Sequence, residues 1–86
     1  MEVSKLEKGQ IVVSKAGRDK GKFLIVLSYD NNGVFVIDGK ERPIERPKKK
    51  SPKHIYATKQ CLSEKDFATN RAARKSLRTA AEKMKF

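Results

Sequence analysis

The chain has 86 residues, enough for one small domain, and its 21 Lys and Arg against 10 Asp and Glu give a formal net charge of +11. Because apolar residues make up only 37% of the chain and Trp is absent, we expect a thin core. The large positive charge predicts a polyanionic partner. A single cysteine excludes an internal disulfide, which fits a reducing compartment. The sequence shows neither an apolar signal core nor an apolar run of about 18 residues, which argues against a membrane partner. We therefore expect a cytoplasmic protein.

The positive charge is concentrated in the second half of the chain. Residues 1–39 hold six Lys or Arg and five acidic residues, a net charge of +1, whereas residues 40–86 hold fifteen and five, a net charge of +10. The first half is therefore expected to be mainly a folding unit, and the second half to supply most of the attraction for an anionic partner.

Short apolar runs predict strands in the first half. Residues 10–14 are rich in β-branched side chains and form the first predicted strand. Residues 22–29 carry apolar side chains on both faces, which indicates a strand that is covered on both sides or that curves round a barrel. The turn sequence at 30–33 joins it to a third predicted strand at 34–37, so that residues 22–37 form a hairpin.

Two glycines and four cations occupy the connection between the first two strands, residues 15–22. Gly17 and Gly21 allow a sharp reversal of the backbone because they tolerate positive φ. A phosphate-binding loop of the form G-x-x-x-x-G-K-[ST] is excluded, since the glycines are one residue too close and a strand follows instead of a helix. The loop either binds RNA phosphates or is a solvated turn. Asp19 argues against phosphate binding, although its carboxylate has the alternative role of orienting Arg18 through an ion pair.

The following segment predicts two weaker strands around a basic run. Residues 41–46 are interpreted as a weak fourth strand at a sheet edge, because Pro43 cannot donate a ladder hydrogen bond. Two prolines and like-charge repulsion predict that residues 47–53 are an exposed loop without regular structure. Residues 54–58 form a short fifth strand, and short strands separated by turns indicate a small barrel.

The last segment has the composition of a helix. Residues 63–66 resemble a capping box with Asp in place of Glu, and residues 64–85 contain no Gly or Pro. At helical spacing one face holds Ala73, Leu77, Ala80 and Met84, and Phe67 falls nearer the basic side. Since the apolar stripe is mostly Ala, we expect weak packing, and the helix either folds on the barrel or forms fully only on a partner. We therefore divide the chain into a barrel at 1–60 and a basic helix or tail at 61–86.

Three segments carry a resemblance to a known family: Val12 to Lys22, the Val-Ile-Asp-Gly sequence at 36–39, and the basic segment at 46–55. In this order they resemble a KOW domain, and most closely the archaeal and eukaryotic large-subunit ribosomal protein family numbered fourteen-e, as well as small stand-alone KOW-domain RNA-binding proteins of bacteria. The resemblance covers about residues 8–58. It implies a mainly β fold, an SH3-like barrel of about five strands that binds ribosomal RNA through its loops and basic edges, followed here by the C-terminal helix. KOW domains also occur in transcription elongation factors, where they contact RNA or protein.

The predicted RNA-binding residues lie on the glycine loop, the basic segment and the polar face of the helix, and each group has the alternative of being only a solvated face. They are Lys15, Arg18, Lys20, Lys22, Arg42, Arg46, Lys48, Lys49, Lys50, Lys53, His54, Arg71, Arg74, Lys75 and Arg78. His54 is equally interpretable as a structural hydrogen-bonding residue.

Three aromatic residues and the cysteine have alternative roles. Tyr29, Phe35 and Tyr56 are candidates for stacking on bases, but their alternation with apolar neighbours favours positions in the core or at the barrel mouth. Cys61 is expected to be an inert, buried or half-buried thiol.

These features predict a non-catalytic protein with no cofactor, no metal and no small-molecule substrate, since one His and one Cys cannot supply a metal cluster and the carboxylates are scattered. We expect a monomer that binds RNA, most simply ribosomal RNA on the large ribosomal subunit, either as a permanent subunit or as a transient factor. The alternatives are a protein-interaction module that recruits a transcription or ribosome-associated factor, and a basic DNA-binding protein.

Overall fold

Five antiparallel strands and a C-terminal helix make up the fold in the computed structural model, which describes residues 6–84. The first residues of the predicted barrel and the predicted helical residue 85 lie outside this range, and the side chain of Met84 is also outside the described part. The elements are β1 (Gln10–Ser14), β2 (Phe23–Asp30), β3 (Gly33–Ile37), β4 (Lys48–Lys50), β5 (Ile55–Cys61) and α1 (Asn70–Met84), with 3₁₀ turns at Pro52–His54 and Glu64–Phe67. The predicted class, mainly β with five strands and a C-terminal helix, is confirmed.

The two edges of the sheet are strands that follow each other in sequence. The strand order is β4-β3-β2-β1-β5, and only residues 51–54 join β4 to β5. So short a link holds the edges near each other, which requires a curved sheet. No ladder of hydrogen bonds joins β4 to β5 within residues 6–84, so the sheet is not closed.

Residues 24–26 of strand β2 are buried on both faces, as the sequence predicts, whereas residues 28–30 at its end are exposed. On one face Leu24 and Val26 pack in a cluster with residues from the other strands and from the segment before β1. On the other face Ile25 lies opposite Ile11 of β1 and Ile37 of β3, which gives a row of three fully buried isoleucines. Because burial of one such side chain stabilises a fold by about 1.5–3 kcal/mol, this row provides a strong docking surface for whatever covers it.

The C-terminal helix covers the isoleucine row. Ala73, Leu77 and Ala80 of α1 are buried there, so the helix packs on the sheet although most of its stripe is alanine. The small side chain of Ala73 lets the helix backbone come close to the turn after β3, where a Cβ on Gly39 would collide with the carbonyl oxygen of Asn70. Within residues 6–84 no helix combines the length and apolar character needed to cross a bilayer.

The helix begins later than the sequence predicts. The capping box forms between Ser63 and Asp66, but it begins the 3₁₀ turn Glu64–Phe67, and α1 starts only at Asn70. This break changes the direction of the preceding side chains. Phe67 is therefore only 4% exposed and packs on the isoleucine row, whereas a continuous helix would place it toward the basic face.

The position of the fourth strand is the main error of the sequence-based prediction. Residues 41–46 form bends and a turn, while β4 lies in the lysine run that was expected to be irregular. Pro47 and Pro52 flank β4 and remove none of its ladder hydrogen bonds. The like-charge repulsion is reduced because successive side chains alternate between faces, with Lys48 and Lys50 opposite Val36 and Val34, and Lys49 opposite Phe35.

Side-chain hydrogen bonds to the backbone hold residues 38–46 in their non-strand conformation. The Oδ1 atom of Asp38 accepts hydrogen bonds from the backbone N–H groups of Lys40 and Arg42, both at 2.8 Å. The Oδ1 atom of Asn70, the first residue of α1, accepts one from the N–H of Ile44 at 2.8 Å. The segment therefore connects β3 to the start of the helix instead of extending the sheet.

Candidate nucleic-acid interface

The glycine loop is a well-defined turn with exposed charges. Gly17 and Gly21 both have φ of +86°, as the sequence predicts. The N–H of Ser14 donates to the carbonyl of Lys22 at 3.0 Å and the N–H of Gly21 donates to the carbonyl of Ser14 at 2.8 Å, which closes the base of the loop. The four predicted cations of the loop are all exposed: Lys15, Arg18, Lys20 and Lys22.

Asp19 and Lys50 form a buried ion pair beneath this loop. The Asp19 Oδ1 atom accepts hydrogen bonds from the Ser14 hydroxyl at 2.9 Å and from the Lys50 ammonium at 3.0 Å, and Lys50 also donates to the carbonyl of Ala16 at 3.0 Å. Asp19 is 7% and Lys50 8% exposed. Burial raises the pKa of Asp19, but the hydrogen bonds from Lys50 and Ser14 and the charge of Lys50 together hold that pKa below its ordinary value.

This pair changes the assignment of two predicted residues. Asp19 faces inward to Lys50, so the alternative of an ion pair with Arg18 is not formed, and the side chain of Arg18 is exposed. Lys50, which was predicted to bind RNA, is enclosed in the fold and serves to fix the glycine loop onto β4.

The glycine loop lies beside the 3₁₀ turn between β4 and β5. The N–H of Lys15 donates to the carbonyl of His54 at 2.8 Å, which holds residues 15–22 against Pro52–His54. Lys53 and His54 are exposed there. The contact thus combines basic residues that are far apart in sequence, and we call them the loop surface: Lys15, Arg18, Lys20, Lys53 and His54.

A groove with a volume of about 320 Å³ lies between α1, the start of β2 and the turn after β3. Apolar side chains and cations both line this groove, which we call the helix groove: Phe23, Leu77, Ala81, Lys22, Lys40, Arg74, Arg78 and Asp38. Lys22 ends the glycine loop, so the helix groove directly adjoins the loop surface. The fold therefore brings together three predicted residues from distant segments, namely Lys22, Arg74 and Arg78.

The carboxylates near the helix groove leave most of its positive charge uncompensated. Asp38 is engaged by the two backbone N–H groups described above. Glu41 lies 3.5 Å from the Lys22 ammonium, but both side chains are more than half exposed, so the pair is weak and water-screened. Glu45 accepts a hydrogen bond from the Asn70 side chain at 3.0 Å, and this bond, with one from the backbone, lowers the pKa of Glu45.

Charges of opposite sign are used differently in this fold. Within residues 6–84 three ion pairs are present, formed by Lys8 with Glu64, Lys22 with Glu41 and Lys50 with Asp19. Other carboxylates bind backbone N–H groups, as Asp30 and Asp66 do in their turns. The remaining described Lys and Arg side chains have no carboxylate within 4.0 Å, and their summed field attracts anions.

The other predicted RNA-binding residues do not line the helix groove. Lys49 lies over the ring of Phe35, with its ammonium 5.9 Å from the ring centre. Arg42 and Lys48 are half-buried, whereas Arg46, Arg71 and Lys75 are exposed. Lys75 instead borders a second hollow of about 350 Å³, on the other side of α1.

The aromatic residues are more exposed than the sequence predicts. Tyr29 is 49% and Tyr56 53% exposed, so neither lies in the core, and Phe35 is half-buried under Lys49. The aromatic residue of the helix groove is Phe23, which was assigned only to a strand face. Lys40 was missed as well, because a lone Lys after an Asp-Gly turn gives no pattern.

Cys61 is exposed, contrary to the prediction of a buried or half-buried thiol. Partial desolvation, the negative charge of Glu7 and the hydrogen bond that the thiol donates to Glu7 Oε1 at 3.7 Å together raise the pKa of Cys61. In the described part of the chain no three His, Cys, Asp or Glu side chains are close enough together to hold a metal ion.

No protein-family model matches the chain, and no curated protein matches it either.

Proposed function

We propose that the protein is a non-catalytic RNA-binding module that binds ribosomal RNA and associates with the large ribosomal subunit. The proposal includes an SH3-like, KOW-type barrel as the scaffold. Two features support that scaffold: the curved five-strand sheet, whose consecutive edge strands are joined by a 3₁₀ turn, and the sequence resemblance over residues 8–58.

The observation that carries the proposal is the convergence of uncompensated cations on adjoining surfaces. The loop surface and the helix groove meet at Lys22, and their cations come from the glycine loop, the turns after β3 and β4, and α1. A merely solvated set of charges would not need to be gathered around a concave, partly apolar surface. A phosphate backbone matches this arrangement because its charges are regularly spaced and its bases supply apolar faces.

The proposed mechanism is mainly electrostatic. The Lys side chains neutralise phosphates and release condensed counterions, while the arginines form two-point hydrogen bonds to phosphate or stack on unpaired bases. The curved sheet fixes the spacing of these groups. Selectivity then comes from the shape of the RNA, since we find no base-reading motif in the sequence.

The experiment is a salt series of binding to a fluorescently labelled, structured ribosomal RNA fragment, with duplex DNA of equal length as competitor. If about six phosphates are contacted, affinity should fall about a thousandfold between 50 and 200 mM salt. Sedimentation of the protein with purified ribosomal subunits should show association with the large subunit that weakens over the same range. Absent or salt-independent RNA binding would reject the proposal and favour a protein-interaction module, and equal affinity for duplex DNA would reject specificity for RNA.

A further inference from the structure

We infer that the helix groove binds one RNA strand lengthwise, with Arg74 and Arg78 each contacting one of two successive phosphates. Lys22 and Lys40, on the opposite wall of the groove, supply further contacts along the same strand. This inference rests on the proposed RNA binding and adds to it a defined site and the path of the strand. The site is built partly by α1, which lies outside the stretch that resembles a KOW domain.

The two arginines of the groove are spaced like the phosphates of one strand. Arg74 and Arg78 are four residues apart on α1, so they lie on one face of the helix and about 6 Å apart along its axis. Successive phosphates along a single RNA strand have a similar separation. A guanidinium forms two parallel hydrogen bonds to the oxygens of a phosphate, and a strand that follows the helix axis presents a phosphate to each arginine.

The backbone that carries these cations is ordered before any strand binds. The Cγ atom of Arg74 lies 3.0 Å from the position that a Cβ on Gly39 would occupy, so the stem of this arginine passes close to the turn after β3. Asp38 holds the same turn through its hydrogen bond from the N–H of Lys40 at 2.8 Å. The closed base of the glycine loop fixes Lys22. Binding therefore restricts side chains but does not need to order a loop.

Apolar side chains in the lining strengthen the attraction of the groove for phosphates. Leu77 is 8% exposed and packs with the isoleucine row, and Ala81 is half-buried. Both line the groove together with the cations. A low-dielectric wall beneath charges of one sign focuses their field on the ligand, because water screens them less there. The Asp38 carboxylate in the lining is engaged by backbone N–H groups, so the groove keeps an excess of positive charge.

The continuity of the cationic surface favours an RNA strand over an acidic peptide. Lys22 lines the groove and also ends the glycine loop, so a strand that leaves the groove there reaches Lys20 and Arg18 of the loop surface. RNA carries a negative charge at every nucleotide and can follow such a track over its whole length. A peptide would need a long and regular run of acidic residues. The weak, exposed pair of Lys22 with Glu41 releases Lys22 to a phosphate at little cost.

The first test measures the salt dependence of binding to a short, unstructured, fluorescently labelled RNA by anisotropy. Arg74→Gln with Arg78→Gln should lower the slope of log affinity against log salt by about 1.4, since each phosphate of a single strand contributes about 0.7. Arg71→Gln with Lys75→Gln is the matched control, because it removes two cations at the same spacing on α1 but outside the groove. The control should lower the slope by less than about 0.7. All four positions are exposed and Gln is a good helix former, so both variants should fold.

The second test examines the spacing of the two phosphates. An abasic ribose 3,5-bisphosphate carries the two phosphates that flank one sugar of an RNA strand, whereas the phosphates of pyrophosphate share one oxygen and lie too close together to reach both arginines. In NMR titrations the bisphosphate should shift the side-chain signals of Arg74 and Arg78 at lower concentrations than pyrophosphate, although the two anions have similar charge.

The possible outcomes separate this inference from the proposed function. Equal losses of slope in the two paired variants, or pyrophosphate binding at least as tight as that of the bisphosphate, would overturn the inference and leave general RNA binding intact. Displacement of the RNA by a poly-glutamate peptide at lower concentrations than by unlabelled RNA would also overturn it, as would binding of a structured ribosomal RNA fragment without binding of the unstructured strand. Failure to bind either RNA would instead reject the proposed function.

Discussion

Lys50 shows how three identical residues acquire different roles through strand register. Lys48, Lys49 and Lys50 are indistinguishable in sequence, yet Lys50 lies opposite Val34 on the inner face, where it meets Asp19 from the glycine loop. A buried ammonium is tolerated only when a carboxylate and further acceptors surround it, and here Asp19 and the carbonyl of Ala16 supply them. The two partners are 31 residues apart, so no local pattern announces the pair.

The ion pair predicts a large difference between adjacent lysines. Lys50→Ala leaves the Asp19 carboxylate buried without its partner and should lower the free energy of unfolding by about 3 kcal/mol. Lys49→Ala, at an exposed position, should change it by less than about 0.5 kcal/mol. Urea unfolding followed by circular dichroism measures both values.

The double variant Asp19→Asn with Lys50→Met provides the control. It removes both charges, so its loss of stability should be clearly smaller than that of Lys50→Ala. Equal stability of Lys50→Ala and Lys49→Ala would show that the pair contributes nothing to the fold.

At the scale of elements, the parts of the fold that depend on apolar patterns are predictable from the sequence. The parts that depend on hydrogen bonds from distant side chains are not. The first three strands, the hairpin, the start of β5 and the helical segment follow from β-branched runs and turn residues. Residues 41–46 alternate like a strand, but Asp38 and Asn70 bind their backbone N–H groups and so remove them from any ladder. These bonds depend on where α1 docks, which the sequence does not specify.

The same limit applies to the candidate site. The exposure of most cations was predictable, because an unpaired charge is costly to bury. The helix groove was not predictable, since it exists only where α1, the turn after β3 and the start of β2 meet. The resemblance to a known family could not reveal it either, because that resemblance ends before the helix.

Two glycines allow the contribution of helix docking to be separated from backbone strain. Gly21 and Gly39 both have positive φ, at +86° and +79°, but a Cβ at Gly21 meets nothing within 4 Å whereas one at Gly39 meets the helix. Gly21→Ala should therefore cost only the left-handed conformation, about 1 kcal/mol. Gly39→Ala should cost a further 1–3 kcal/mol or so, because the helix must move. Midpoints of urea unfolding give both values, and equal costs would mean that α1 does not pack closely on this turn.

At the scale of the whole molecule, the two signs of charge are segregated by role. Several aspartates bind the backbone of turns and Asp19 binds an internal lysine, whereas most cations remain in solvent. Net charge alone would attract any polyanion over the whole surface. A localised site requires that some cations contribute more to binding than others, and we propose that these are the cations that line the helix groove.

Two triple variants with the same change in charge distinguish a site from net charge. Lys40→Gln, Arg74→Gln and Arg78→Gln together remove three cations from the helix groove, and Lys48→Gln, Lys49→Gln and Lys53→Gln remove three from the basic run while keeping the buried Lys50. Each lost phosphate contact lowers the slope of log affinity against log salt by about 0.7–0.9. We expect the slope of log affinity against log salt to fall by between about 2 and 3 in the groove variant. In the basic-run variant it should fall by only about 1, because Lys48 is half-buried and Lys49 lies over Phe35. Equal losses would show that the RNA responds to net charge alone, and a larger loss in the basic-run variant would place the main contact on residues 48–53.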